Sequence, residues 1–461
     1  MDGLADAAQK RIGVRIAKTL SAYLKTLSGT DAPPSKEQLE EPFIPETDPD
    51  LVRETETLIA TALLLGMDHA SRKLNAADEE IPPLPFDEAV SFMKSRIPVT
   101  KAEWNTLEPK LRFRAFTVAR LAQCDYIDAA RGRLISAMQD GQGFASTRND
   151  IKAIAEADGA FNLKPGYWEN VFRTNTQTAY TAGKLMQFKN NPPPAWRLLV
   201  IDDGRTSDIC RGLIREGKRD IVIPSDHPFW GKFGFPPYHY QCRTGLQAVY
   251  ESQIGSDVQV ENPSMASLRK NFKPMKGFGG NPLDKESWWM MTEGMALRAA
   301  RYNIFDEVES FAKENGLFNF ALTLVRGTDV EKLKGTNYAA RKAAMANPSQ
   351  KEVLAAKVLE ENGHRVFFTS ENKATKNYDA IIDGRLGEFK KLESFQQIKN
   401  RLKEADKQRA AIVCLEPPME NHTLEEAVAE VRKWFDSKQR VINYVDTVLL
   451  IWGENIKTIK K

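Results

Sequence analysis

Residues 378–390 read YDAIIDGRLGEFK and decide the fold of the C-terminal part, since an Asp-Gly pair stands between two apolar runs. Such a pair favours a two-residue type I′ turn, so the segment predicts a β-hairpin. Counting outward from the turn places Asp379 directly opposite Glu388, and directly opposed residues share one face of a sheet. Lys390 lies two residues beyond Glu388 and joins the same face. The hairpin therefore predicts two carboxylates and one ammonium close together.

A carboxylate pair of this kind predicts a metal site. Two neighbouring carboxylates repel each other, and the pKa of one rises unless a cation neutralises them. A hard divalent ion such as Mg²⁺ or Mn²⁺ prefers oxygen ligands and keeps several waters for chemistry. Lys390 would then orient an attacking water or stabilise charge that develops on a scissile phosphate.

A helix upstream of the hairpin offers a third acid. Ser349 is a suitable N-cap for a helix over the following residues, which read QKEVLAAKVLEE. At helical spacing Glu352 falls on the same stripe as Ala356 and Leu359, which is the stripe expected to be buried. An acid on a buried stripe needs a partner, so Glu352 is predicted to reach the same metal.

Helices and strands alternate from about residue 345 onward. The predicted order is the helix with Glu352, a strand at 366–369, the hairpin, a helix at 394–409, a strand at 411–415, a helix at 424–438 and a strand at 446–452. This order is typical of an α/β sandwich. The basic residues of the helix at 394–409 predict either contact with a phosphate backbone or an ordinary solvated face.

Residues 345–461 resemble the PD-(D/E)xK nucleases, most closely the tRNA nuclease domain at the C-terminus of CdiA contact-dependent inhibition toxins. The resemblance implies an endonuclease with Mg²⁺ or Mn²⁺ as cofactor, for which tRNA or other RNA is a more expected substrate than DNA. It implies metal binding by three acids, catalytic assistance by the lysine and a glutamine lining the site. These residues are Glu352, Asp379, Glu388, Lys390 and Gln408. Tyr378 stands where such nucleases carry a proline, at a position that varies widely among them.

Residues 150–250 differ in composition, with the run NNPPP, several aromatic residues and turn pairs such as Asp-Gly. The ordered motifs of this part are Arg173-Thr174, Trp196, Asp203-Gly204-Arg205-Thr206, Cys210 and the PPxHxxCR stretch from Pro236 to Arg243. With these motifs, residues 85–250 resemble the Mu F-like head morphogenesis family. The resemblance implies a portal-proximal minor capsid protein, present in few copies in the virion, made in the host cytoplasm, with portal and capsid proteins as partners.

Three residues of this segment predict a structural Zn²⁺ site. His239 and Cys242 are spaced as His-x-x-Cys, which puts two ligands on one turn, and the distant Cys210 could close the site. Tetrahedral zinc needs a fourth ligand. Some relatives carry a second cysteine near each cluster, whereas the corresponding positions here are Leu213 and Thr244, which leaves Asp208 or His227. In the alternative interpretation, both cysteines are small buried hydrophobes and the histidine is an ordinary hydrogen-bonded side chain.

The rest of the chain predicts a multidomain protein. Residues 1–150 show helical spacing of apolar residues, with a proline-rich break at 81–85, and 251–344 read as a Gly/Pro-rich linker and helical segment. The longest apolar stretch is too short to cross a membrane. Four dispersed cysteines fit a reducing compartment, and a net charge of +3 makes any nucleic-acid contact local.

The predicted architecture is therefore a mostly α N-terminal region, an α+β Mu F-like part at 150–250, the 251–344 segment and a nuclease-like α/β sandwich at 345–461. Two hypotheses for function follow. The chain is a minor head protein armed with a metal-dependent nuclease that binds RNA or DNA. Alternatively, it is a purely structural head protein whose C-terminal part is a catalytically silent docking module.

Overall fold

A computed structural model describes most of the chain. The described residues are 2–27, 34–35, 39, 43–72, 101–142, 144–158, 167–189, 192–214, 220–255, 258–275, 278–283, 289–318, 320, 325–326, 348–369, 378–418, 422–436 and 442–461. The proline-rich break predicted at 81–85 lies outside them. The chain divides into two compact units, Met1–Met290 and Met291–Lys461. The four-part division proposed from the sequence stays a prediction.

Helices dominate the beginning of the first unit, as predicted. They are α1 (Asp2–Thr26), α2 (Pro49–Arg72), α3 (Lys101–Gln139), α4 (Phe144–Asp158) and α5 (Tyr167–Gln187). Their buried faces carry apolar side chains at helical spacing, as Ile12, Ile16 and Leu20 do on α1. None of the helices in the described part of the chain is both long and apolar enough to cross a membrane.

Two glycines set the distance between α2 and α5. A Cβ atom at Gly66 would lie 2.0 Å from the backbone oxygen of Tyr180, and one at Gly183 would lie 1.9 Å from the backbone oxygen of Leu63. No side chain fits in either place, so the two backbones touch.

A three-stranded antiparallel sheet follows α5. Its central strand is β1 (Ala195–Leu199), flanked by β2 (Asp220–Pro224) and β3 (Gly245–Val249). The helices of this region are α6 (Asp208–Arg211), α7 (Pro228–Phe233) and α8 (Met265–Asn271). An aromatic core that includes Trp196, Phe229, Tyr238 and Phe272 holds them together. Strands and short helices around one core agree with the predicted α+β character.

The second unit is built on one mixed sheet. Its elements are α9 (Glu293–Arg301), α10 (Phe305–Glu314), β4 (Val325–Arg326), α11 (Gln350–Glu361), β5 (Val366–Phe368), β6 (Ala380–Ile382), β7 (Arg385–Lys391), α12 (Ile398–Gln408), β8 (Ile412–Glu416), α13 (Leu424–Phe435), β9 (Thr447–Trp452) and β10 (Asn455–Lys460). The seven strands run in the order β10-β9-β8-β7-β6-β5-β4. Strand β8 is parallel to both of its neighbours, β7 and β9, and the remaining neighbouring pairs are antiparallel. The predicted order of elements agrees with this arrangement, while β4 and β10 were not predicted.

The two faces of this sheet have separate cores. One core joins Phe389 and Cys414 to Ala356 and Leu359 of α11. The other joins Val413 and Leu415 to apolar residues of α12 and α13. Because side chains alternate along a strand and Glu388 pairs with Val413, Glu388 faces the α12 side.

The hairpin prediction is confirmed. Strand β6 pairs antiparallel with β7 in the register Ile382↔Arg385 to Ala380↔Gly387. Asp383 and Gly384 form the turn with φ of 46° and 76°, the positive values that a type I′ turn requires. Extending this register by one pair brings Asp379 opposite Glu388.

Candidate functional sites

The hairpin brings one lysine between two carboxylates. The Lys390 ammonium donates to Glu388 Oε2 at 2.6 Å and lies 3.9 Å from Asp379 Oδ2. Asp379 Oδ2 also accepts a hydrogen bond of 2.8 Å from the backbone N–H of Phe389. That bond fixes the Asp379 carboxylate against β7. The three charged groups predicted from the sequence therefore meet on one face, and we call them the carboxylate cluster.

Glu388 is the buried member of the carboxylate cluster, with 1% of its side chain exposed. Burial raises its pKa to about 7, the negative charge of Asp379 adds to the rise, and Lys390 opposes it. A carboxyl group that titrates near neutrality is costly to keep ionised in the folded protein. An added cation would lower this cost, so the cluster fits a divalent ion with oxygen ligands.

Gln408 joins the carboxylate cluster from α12. Its side-chain amide lies against Glu388 and, oriented to donate, reaches Oε2 at 2.9 Å and Oε1 at 3.2 Å. The end of α12 is held in place by Asp406, whose Oδ1 accepts three backbone N–H groups of residues 443–445. A carboxylate with three backbone donors is a rigid anchor, so Gln408 projects from a fixed point.

Two further groups near the carboxylate cluster, Tyr378 and Arg301, were not identified as functional from the sequence, whereas Arg409 belongs to the basic helix singled out there. Burial raises the pKa of the Tyr378 hydroxyl, the positive charges of Arg301 and Arg409 oppose the rise, and Glu388 adds to it. Arg409 also lies over the ring of Tyr444, 5.2 Å from its centroid. Arg301 comes from α9, far away in sequence, and no local motif marks it.

The structure does not bring Glu352 into the carboxylate cluster. Its carboxylate accepts from the backbone N–H of Ser349 at 2.6 Å, and the Ser349 hydroxyl accepts from the backbone N–H of Glu352, which forms a capping box. Helix α11 packs on the Phe389 face, opposite to Glu388. Among the described residues, Glu352, Asp379 and Glu388 do not form a group of ligand atoms within 4.8 Å. The assignment of Glu352 as a metal ligand is corrected to a helix cap.

The structure assembles the predicted cysteine and histidine residues of the first unit. Cys210 Sγ lies 3.0 Å from His239 Nε2 and 3.8 Å from Cys242 Sγ, and we call these residues the Cys-His cluster. The three ligand atoms all lie within 4.8 Å of one another, which is close enough for them to bind one metal ion. In the described part of the chain, this is the group of three possible metal ligands that the structure assembles. Cys210 is set by the short helix α6, which Ser207 caps. His239 and Cys242 lie in the loop before β3.

The two thiols of the Cys-His cluster have pKa values shifted in opposite directions. The hydrogen bond between them lowers the pKa of Cys242 well below its usual value and raises that of Cys210. The hydrogen bond with Cys242 raises the pKa of His239. The thiolate form is therefore favoured at Cys242 and disfavoured at Cys210.

The two candidates for a fourth zinc ligand lie elsewhere. The Asp208 side chain is fully exposed, and its nearest ion pair is with Arg211. His227 caps α7, where its Nδ1 accepts from the backbone of Phe229 and its Nε2 contacts the carbonyl oxygen of Pro263. The hydroxyl groups of Ser207 and Thr244 lie next to the Cys-His cluster instead. Proximity in the sequence did not identify these two neighbours.

The predicted Asp-Gly-Arg-Thr motif encloses this site. Arg243, next to Cys242, donates to both carboxylate oxygens of Asp203 at 2.5 and 2.8 Å. This hydrogen bonding holds the pKa of the Asp203 carboxyl below its usual value. Thr206 donates to the backbone oxygen of Ile201 and closes the loop. The spaced motifs are therefore parts of one assembly around the Cys-His cluster.

Residues 128–247 match the model of the family described as Phage Mu protein F like protein. The middle of the chain is therefore similar to this family, and we call residues 128–247 the Mu F-like segment. The curated relatives include the "Putative capsid assembly protein F" of Escherichia phage Mu, 26% identical over 191 residues, which covers 37% of this chain and 42% of the relative. They also include the Mu-like prophage FluMu F protein of Haemophilus influenzae, 26% identical over 169 residues, which covers 33% of this chain and 39% of the relative. The chain thus spans about two fifths of the length of the curated relatives that it matches.

Among solved structures, the CdiA-CT/CdiI toxin and immunity complex from Burkholderia pseudomallei is similar to part of the chain. The identity is 18%, the match covers 24% of this chain and 83% of that one, and the TM-score is 0.21. A TM-score of this size does not establish a shared fold. The Mu F-like segment contains the Cys-His cluster, while the carboxylate cluster lies outside the matched residues 128–247.

Proposed function

We propose that this chain is a minor head protein of a phage that works in capsid assembly, with portal and capsid proteins as partners. The match of residues 128–247 to the Mu F-like family supports this proposal, as does the name of the relative in phage Mu. The expected location is the virion, in low copy number. Quantitative mass spectrometry of purified proheads and virions tests it, and absence of the protein from both would remove the head-protein function.

The second part of the proposal is that the Met291–Lys461 unit is a metal-dependent nuclease. The observation that carries it is a buried glutamate whose pKa lies near 7, placed beside Asp379, Lys390 and Gln408. Strongly shifted carboxyl groups that converge with a lysine occur preferentially at functional sites. A purely structural hairpin has no need to bury Glu388 next to a second carboxylate.

Asp379 and Glu388 would hold the divalent ion, either Mg²⁺ or Mn²⁺. Both supply carboxylate oxygens, which are the ligands that these ions prefer, and Asp379 is fixed in place by the Phe389 N–H. When bound, such an ion supplies an activated water and neutralises charge on a phosphate oxygen. Gln408 would orient the Glu388 carboxylate through its amide hydrogens.

Lys390 has the geometry of a group that stabilises a phosphate. Its ammonium carries three donors, and Glu388 accepts one of them at 2.6 Å. A second donor can face a phosphate oxygen at the point where negative charge grows during hydrolysis. Arg301 and Arg409, whose charges are felt at Tyr378, add positive potential beside the same site. These cations favour a nucleic-acid substrate over a neutral one.

Purified full-length protein incubated with tRNA, total RNA and duplex DNA tests the nuclease proposal. Cleavage is expected with Mg²⁺ or Mn²⁺ and none after chelation, with tRNA the substrate expected from the sequence. Glu352→Gln is a matched control, because this acid caps α11 away from the carboxylate cluster. If the wild type cut none of the three substrates with any divalent ion, the unit would be a docking module instead.

A further inference from the structure

The Cys-His cluster has the dimensions of a metal centre. Two thiolates bound to one tetrahedral Zn²⁺ at about 2.3 Å would lie about 3.8 Å apart. The sulfur atoms of Cys210 and Cys242 are 3.8 Å apart. The distance from Cys210 Sγ to His239 Nε2 is 3.0 Å, so the imidazole must shift by about half an ångström to reach the corresponding sulfur-to-nitrogen distance.

His239 presents the right nitrogen to the two sulfurs. Its Nδ1 lies 2.6 Å from the backbone oxygen of Tyr240, and an oxygen acceptor at that distance requires a proton on Nδ1. In the neutral ring, Nε2 then carries the lone pair that faces Cys210. Metal-binding histidines are commonly oriented by such a bond from the other ring nitrogen.

Hydrogen bonds also surround the sulfur atoms. The Thr244 hydroxyl donates to Cys210 Sγ at 3.1 Å, and backbone groups of Tyr238 and Thr244 hydrogen-bond with Cys242. Donors of this kind stabilise thiolates that bind a metal. The ion pair between Asp203 and Arg243 holds the neighbouring loop against the same turn.

Two other roles for the thiols fit the structure less well. Cys210 and Cys242 are free thiols in contact at 3.8 Å rather than a disulfide. A nucleophilic thiolate must be accessible to its substrate, whereas Cys210 and Cys242 are only 3% and 7% exposed.

We propose that Cys210, His239 and Cys242 bind one Zn²⁺ ion, with a water molecule next to Ser207 as the fourth ligand. The Ser207 hydroxyl lies 2.8 Å from His239 Nε2 and lines a pocket that also borders Cys210, His239 and Thr244. The ion cross-links α6 to the loop before β3 and so fixes the Asp203 loop. This site is independent of the proposed nuclease, because its ligands are soft sulfur and imidazole nitrogen.

Metal analysis of the full-length protein, purified without chelators and with zinc in the medium, tests the proposal. About one zinc ion per chain is expected, and chelation should lower Tm. The variants Cys210→Ser, Cys242→Ser and His239→Gln should each lose the ion. Cys414→Ser and His227→Gln are matched controls and should keep it, because these residues lie outside the cluster. Ser207→Ala should also keep it, and loss of zinc in this variant would overturn water as the fourth ligand.

A second measurement keeps the test informative if a ligand variant fails to fold. Wild-type protein loaded with Co²⁺ should show thiolate-to-metal charge-transfer bands and the intense d–d bands of a tetrahedral site, and added Zn²⁺ should remove them. A spectrum of octahedral Co²⁺, zinc retained by Cys242→Ser, or a Cys210–Cys242 disulfide in protein from a reducing cytoplasm would overturn the proposal.

Discussion

The Cys-His cluster and the carboxylate cluster are similar in arrangement but consist of different ligand atoms. Each places two groups that can carry negative charge close together in a buried site, and in each the pKa of one group is strongly displaced. Sulfur and imidazole in one unit suit Zn²⁺, and carboxylate oxygen in the other suits Mg²⁺. Lys390 lies within the carboxylate cluster, whereas the cation next to Cys242 is Arg243, which pairs with Asp203 instead. The two proposed roles differ accordingly: the Cys-His cluster would stabilise the fold, and the carboxylate cluster would act on an anionic substrate.

The largest expected effect concerns the acids of the carboxylate cluster. Asp379→Asn and Glu388→Gln remove one proposed metal ligand each, so we expect nucleic-acid cleavage to fall by about 1000-fold or more. Single-turnover cleavage assays at saturating Mg²⁺ measure this loss. A zinc-selective chelator should leave wild-type cleavage unchanged, since the Cys-His cluster is not part of that site. Loss of cleavage with this chelator would break the proposed division between the two centres.

The next effect is on stability as a function of pH. Glu388 has a folded-state pKa of about 7, above its ordinary value of 4.5, so the folded state favours the protonated form. The contribution of protonated Glu388 to the free energy of unfolding is therefore fully present below pH 4.5 and is lost as pH rises through 7. This loss lowers the free energy of unfolding by about 3 kcal/mol. Chemical denaturation in the presence of chelator at several pH values measures this.

The matched control for the pH experiment is Glu388→Gln. This variant should be at least as stable as wild type above pH 7 without metal, and the Glu388 component of the pH dependence should disappear. Equal pH profiles for wild type and Glu388→Gln would mean that the carboxyl group is not displaced. The carboxylate cluster would then be an ordinary ion pair, unlike the Cys-His cluster.

The lysine tests whether the second centre is catalytic as well as metal-binding. Lys390→Ala should retain Mn²⁺ binding but cleave about 100-fold more slowly, because the ammonium acts on charge that grows in the transition state. Lys391→Ala is the control, since its side chain pairs with Glu416 on the surface. Calorimetry with Mn²⁺ and the cleavage rate are the two readouts. Equal rates for the two variants would argue against a catalytic lysine.

The smallest expected effect concerns the capping box of Ser349 and Glu352, which lies outside the carboxylate cluster. Ser349→Ala breaks the capping box of α11 and should lower the free energy of unfolding by about 1 kcal/mol. Metal binding and cleavage should not change. A large loss of cleavage in Ser349→Ala or Glu352→Gln would return Glu352 to the carboxylate cluster.

The sequence could predict the structural features that depend on residues close together in the chain. The Asp-Gly turn determined the register of β6 and β7, and with it the approach of Asp379, Glu388 and Lys390, because pairing near a tight turn leaves little choice. The spacing of His239 and Cys242 was equally local. Gln408 was expected at the end of α12, and the structure places it against Glu388.

Contacts between distant elements could not be predicted in this way. Helical periodicity placed Glu352 on a stripe with buried residues, but it does not tell which face of the sheet receives the helix. Arg301 reaches the neighbourhood of Tyr378 from α9, and only the assembled sheet brings the two together. Asp208 was near Cys210 in sequence, yet its side chain points to solvent.

The contact of α2 and α5 through Gly66 and Gly183 has a consequence for how mutations affect the temperature dependence of folding. Any substitution at either glycine would drive a Cβ into the opposing backbone, and the helices would have to separate. Helix α5 also carries Lys184, which donates to the carbonyl oxygen of Leu246 on β3. Separation of the helices would therefore pull on the edge strand β3 of the three-stranded sheet. Gly66→Ala and Gly183→Ala are expected to be temperature-sensitive variants, folded in the cold and unfolded on warming.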